Sequence, residues 1–128
     1  METKTSFTQA HLENQLWANE LEFYRDEIAI MERHLQIVAS NNTKTEVTDK
    51  ADWYRNQFAR YRDRINELES ELNLAETKMA LFAQEDASVD LDEVNVADHF
   101  QFREKMEGFT ADYQELKNGF RRYESEWM

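Results

Sequence analysis

The stretch from Val47 to Phe82, VTDKADWYRNQFARYRDRINELESELNLAETKMALF, decides the fold. Val47, Ala51, Tyr54, Phe58, Tyr61, Ile65, Leu68, Leu72, Ala75, Met79 and Phe82 recur at alternating spacings of four and three. That spacing lays one apolar seam along a helix, and no strand pattern accommodates it. Upstream, Ser40-Asn41-Asn42-Thr43 groups small polar residues that compete for backbone hydrogen bonds, so a turn is expected there, with Thr43 or Thr45 capping the helix that follows. Before the turn two ladders of period seven run side by side: Phe7, Asn14, Leu21, Ile28, Leu35 and Ala10, Trp17, Tyr24, Met31, Val38. After Gln84-Glu85-Asp86-Ala87-Ser88 the pattern returns through Asn95, His99, Phe102, Met106, Phe109, Tyr113, Leu116, Phe120, Tyr123 and Trp127, with Asp90 or Asp92 as the capping residue.

The predicted protein is all-α, with helices over about 7–40, 45–84 and 92–127 in a single domain. Each helix is about 50 Å long, and the short connections fold them up-down-up into an elongated antiparallel bundle. A period near 3.5 implies left-handed, coiled-coil-like packing. Composition agrees. Proline is absent and the two glycines, Gly108 and Gly119, both fall within the third helix, so helix interruptions are scarce and tight-turned sheet folds are disfavoured.

The formal charge of −12 repels nucleic acid and anionic membrane alike, and neither is an expected partner. Cysteine is absent, which removes disulfides, thiolate catalysis and cysteine-ligated zinc. No leader is visible in residues 1–14, and no apolar run approaches the roughly 20 residues that span a bilayer, so a cytoplasmic protein is expected.

The first helix carries more apolar surface than one seam requires. Leu16, Phe23, Ile30 and Ile37 form an additional stripe at a spacing of seven. The corresponding row of the third helix is polar (Gln101, Gly108, Glu115, Arg122), and that of the second is mixed, with Trp53, Leu74 and Leu81 apolar but Arg60 and Glu67 between them. A surplus face of this kind points to a partner, either a second copy in a homodimer that completes the bundle or another helical protein. The alternative is a broader intramolecular core with the first helix wedged centrally.

Equal rise in antiparallel helices places residues of the first two helices level when their numbers add to about 85, and of the last two when they add to about 176. Glu20 then meets Arg64, and Glu27 meets Gln57. A polar layer is expected at mid-length from Glu20, Tyr24, Glu27, Tyr61, Arg64 and Tyr113, since buried phenols require hydrogen-bond partners. At one end, His11, Glu76 and His99 converge on the same arithmetic, and two imidazoles with a carboxylate form a plausible ligand set for a divalent metal ion. Packing and carboxylate bonding are the ordinary use of such histidines.

Other chemistry lacks its residues. The carboxylates of the first helix are not joined by the Glu-x-x-His motifs of a di-iron bundle. Arg55, Arg60, Arg62 and Arg64 are interleaved with seam aromatics beside an acidic helix, which reads as internal charge compensation. Asp86, Asp90, Asp92 and Glu93 lack the glycine and spacing of a calcium loop, and no serine sits in a glycine-flanked elbow. The expectation is a non-enzymatic interaction or scaffolding protein, acting by self-association or protein binding through its first helix and needing no cofactor. A bundle that binds a metal or small ligand at its His/Glu end is the alternative.

Overall fold

A computed structural model of the chain describes residues 7–85 and 93–128, with backbone alone at 82–85 and 93–96. Three helices make up the described chain: α1 (Phe7–Asn41), α2 (Thr45–Glu85) and α3 (Glu93–Trp127). They pack against one another, and no strand occurs among the described residues. The fold is an all-α three-helix bundle. The acidic connection, including Asp86, Asp90 and Asp92, lies outside the described residues, as do the side chains of Phe82, Glu93 and Asn95.

The seam residues are the ones that leave water. Leu21, Ile28 and Leu35 of α1, Phe58 and Ile65 of α2, and Phe109, Tyr113 and Phe120 of α3 are almost entirely buried. Burial of each such side chain contributes about 1.5–3 kcal/mol. Aromatic pairs stitch α2 to α3, with Phe58 and Tyr54 meeting Phe120 edge-on at centroid distances of 5.2 and 5.3 Å.

Side-chain pairs fix the directions of the helices. Glu13 meets His99 and His34 meets Glu124, so α1 and α3 run parallel. His11 meets Glu76 and Arg64 meets Asp112, so α2 runs antiparallel to both. One end is closed by Asn42, whose amide donates to the carbonyls of Val38 (2.8 Å) and Trp127 (3.1 Å), and by the Tyr123 hydroxyl, which donates to the Val47 carbonyl. The carbonyls of Val38 and Trp127, near the ends of α1 and α3, are thereby satisfied by a side chain. Lys44, not Thr43 or Thr45, caps α2, because its carbonyl accepts the amides of Val47 and Thr48.

The level between α1 and α2 differs from the expected one. Contacting pairs add to values from 87 (His11 with Glu76) to 94 (Arg25 with Glu69), about one turn beyond 85. Between α2 and α3 the contacts Arg64 with Asp112 and Glu71 with Lys105 both add to 176, the expected value.

Candidate functional site

The flank of α1 that faces α3 carries Glu13, Glu20, Glu27 and His34, one residue every two turns. Each finds its partner on α3. The Tyr24 hydroxyl (2.7 Å) and the Thr110 hydroxyl (2.9 Å) both donate to Oε1 of Glu20. The Tyr113 hydroxyl donates to Oε1 of Glu27 at 2.8 Å, and Lys117 Nζ lies 2.6 Å from the other oxygen. The two phenol rings pack against each other at 4.3 Å. Burial and the bond to Glu20 push the Tyr24 phenol up to about 12, and burial and the bond to Glu27 push Tyr113 further in the same direction. Both hydroxyls therefore keep their protons and serve as fixed donors.

This arrangement departs from the expected one in its partners. Glu20 does not meet Arg64, and Glu27 does not meet Gln57, because the acidic flank of α1 is turned to α3 rather than α2. Arg64 instead pairs with Asp112 and lies over the rings of Tyr61 (5.1 Å) and Phe109 (4.9 Å). The neighbouring arginines of α2 are also engaged, Arg55 with Asp52 and Arg62 with Glu32. Tyr61 joins the aromatic packing through Phe109 at 5.8 Å.

At the opposite end from the 42–44 turn, the expected metal-binding trio is divided between two carboxylates. Nδ1 of His11 lies 2.5 Å from Glu76, which also accepts the Asn14 amide at 2.9 Å. His99 is buried, packs against Trp17 with the rings tilted, and places Nε2 2.6 Å from Glu13 rather than Glu76. Arg103 grips both oxygens of Glu13, at 3.1 and 2.6 Å. Burial raises the Glu13 carboxyl, but the bonds and charges of Arg103 and His99 outweigh this and hold it below its ordinary value. Among the described residues no three His, Asp or Glu side chains gather around one point. A cation approaching His99 would have to displace a guanidinium, which is the physical reason the three do not form one ligand set.

Beside this end, a cleft of about 190 Å³ opens between α2 and α3, with Leu74, Lys78 and Lys105 at its sides and His99 and Asn14 among its lining. Its polar groups are largely committed elsewhere. Asn14 is held by Glu76 and Lys105 pairs with Glu71 at 2.6 Å.

Leu16, Phe23, Ile30 and Ile37 stand outside the core, 57, 56, 43 and 45% exposed. A broader intramolecular core is thus excluded, since these side chains are not covered by α2 or α3. Residues four apart are neighbours on a helix, so the stripe borders the Glu20, Glu27 and His34 row directly. Across the α1–α3 seam it faces the α3 row of Phe100, Glu107, Gln114 and Arg121, all exposed. Trp53, Leu74 and Leu81 of α2 are exposed as well, on the flank of α2 that borders α3.

Compared with protein-family models, with curated proteins and with solved structures, the chain has no significant match. No helix among the described residues is long and apolar enough to cross a membrane.

Three features of the site escaped sequence reasoning: the grip of Arg103 on Glu13, the donor role of Thr110, and the pairing of Lys117 with Glu27. All three residues occupy one row of α3, separated by seven, and that row follows the seam residues His99, Met106 and Tyr113 by four. This flanking periodicity was a readable signal, opposite in charge to the glutamate row of α1.

Proposed function

We propose that this chain is a non-enzymatic helical interaction protein whose working surface is the α1 stripe of Leu16, Phe23, Ile30 and Ile37. The observation that carries the reading is the exposure of these four large apolar side chains in one straight row about 32 Å long. Single exposed apolar residues are ordinary on a protein surface, whereas a contiguous strip is a hallmark of an interface. The polar groups beside it support the same reading. Glu20, Glu27 and Glu13 are each saturated by donors from within the chain, which suits them to structure rather than to turnover. The absence of cysteine and of an apolar spanning helix among the described residues makes the cytoplasm the compartment we assign.

The test places a photo-crosslinking amino acid at position 23 in cells, with position 60, exposed on α2 and outside the α1 stripe, as control. A discrete adduct from position 23, absent from position 60 and lost when Ile30→Glu is added, is the expected result. Equal and diffuse labelling from both positions would refute the reading.

A further inference from the structure

We propose that the α1 stripe is covered by a second copy of this chain, antiparallel to the first, about a twofold axis passing near Asp26 and Gln114. This rests on the reading of the stripe as an interface and names its occupant. Three alignments point to it.

The first is the stripe itself. Leu16 with Ile37, and Phe23 with Ile30, are equidistant from a point between residues 26 and 27, so an antiparallel copy sets each apolar side chain opposite another. Evenly spaced rows would allow this in more than one register, and the charges beside the row select among them.

The second is the charge of the neighbouring α3 row. Hydrogen-bonded pairs of α1 and α3 differ in number by 86 (Glu27 and Tyr113) and 90 (Glu20 and Thr110), so Gln114 is level with about residue 26. Glu107 and Arg121 lie seven residues to either side of Gln114. Both are exposed, and neither takes part in an ion pair among the described residues. The same axis that matches the apolar row therefore brings Arg121 of each copy opposite Glu107 of the other. A twofold of this kind preserves sides, so α3 borders α3 and the contact occurs twice.

The third is the outer edge of α1. Arg33, exposed and seven residues beyond Asp26, comes level with Asn19 and near Glu22 of the other copy. A parallel twofold swaps sides and would instead set Arg121 of each copy level with Arg33 of the other, and Glu107 level with Asn19 and near Glu22, so that like charges face one another. The strip is about 32 Å long and two helices, about 20 Å, wide, or about 600 Å² on each copy. That is somewhat below the usual size for a specific complex, and the dimer is expected to be reversible.

The experiment is sedimentation equilibrium of the purified full chain across the micromolar range, with helicity monitored by circular dichroism. The parent should form a reversible dimer, and Phe23→Glu with Ile30→Glu should be monomeric with unchanged helicity. Glu107→Arg and Arg121→Glu should each weaken the dimer about tenfold, because each touches two symmetric contacts. Combining them should restore nearly the parental affinity. Since the chain has no cysteine, single spin labels can be introduced at Asp26→Cys and Ser40→Cys. The first should give a short separation between copies and the second about 40 Å. A combined charge reversal no better than either alone, a dimer indifferent to Phe23 and Ile30, or a short separation at position 40 would each overturn the proposal. A monomer at every concentration would also overturn it. If position 23 nevertheless gives a discrete adduct with a different protein, the functional reading survives, and if it gives none, both fall.

Discussion

Tyr113→Phe isolates the bond that joins α3 to the acidic flank of α1. Tyr113 is fully buried, and its hydroxyl donates at 2.8 Å to Glu27, whose second oxygen is 2.6 Å from Lys117. The substitution leaves the ring in place against Tyr24 and Phe109 and removes a single oxygen. A hydrogen bond to a charged group contributes about 1.5–3 kcal/mol, and the Glu27 side chain deprived of its donor is only 17% exposed. Lys117 continues to neutralise Glu27, which places the expected loss at the lower end, about 1.5–2 kcal/mol. Tyr24→Phe should cost less, about 1 kcal/mol, because Thr110 still donates to Glu20. The measurement is urea unfolding followed by circular dichroism at one fixed protein concentration, so that any association contributes equally to parent and variant. A double-mutant cycle with Glu27→Gln separates the bond from the loss of the hydroxyl as such. The reasoning fails if Tyr113→Phe is within about 0.5 kcal/mol of the parent with an unchanged denaturant dependence, for then the hydroxyl and carboxylate have no net preference for each other over water.

Two further outcomes follow from single positions. Glu13 has a folded value below its unfolded one, so its contribution is present above the ordinary carboxylate range and is lost as pH falls through the folded value; thermal unfolding of Glu13→Gln against the parent should show a deficit near neutrality that closes in acid, and a deficit constant with pH would contradict the grip of Arg103. At Gly108 an added Cβ meets nothing within 4 Å, so Gly108→Ala should stabilise the helix by about 0.5–1 kcal/mol, whereas at Gly119 it would stand 3.1 Å from the Tyr54 hydroxyl, so Gly119→Ala should gain less or destabilise, and denaturant titration of the pair distinguishes them.

The helices were legible because their signal is local. An unbroken alternation of three and four from Val47 to Phe82, without proline, leaves the chain one way to bury its apolar residues, and the polar interruption at 40–43 fixes the first reversal. The partners across helices were less legible, because they depend on which flank of α1 faces which neighbour. A seam alone is compatible with either handed arrangement of α2 and α3 around α1. Level arithmetic therefore pairs Glu20 with Arg64, although the row of Arg103, Thr110 and Lys117 complements Glu13, Glu20 and Glu27 at a constant offset. His11, Glu76 and His99 do occupy the same end, but level arithmetic has no information about which carboxylate an imidazole turns to. That choice is made by Trp17, which packs against His99, and by Arg103, which holds Glu13 within reach of it.

The stripe and the ladder beside it then divide one side of α1 into two functions. Glu13, Glu20 and Glu27 have their donors within the chain, so a partner gains little by approaching them, and each would cost desolvation if it were stripped of those donors. Their contribution is geometric: bonds at Glu13, Glu20 and Glu27 tie α1 to α3 at an offset of 86 to 90 over two heptads. Leu16, Phe23, Ile30 and Ile37 contribute little to the isolated fold, being about half exposed in it. Their alignment with Glu107 and Arg121 nevertheless exists only while that offset is maintained. In the proposed dimer the ladder thus links stability to recognition. A slip of α3 along α1 by one turn would there leave the apolar row intact and carry Glu107 and Arg121 about 11 Å out of line with their counterparts, because the two antiparallel copies shift in opposite directions.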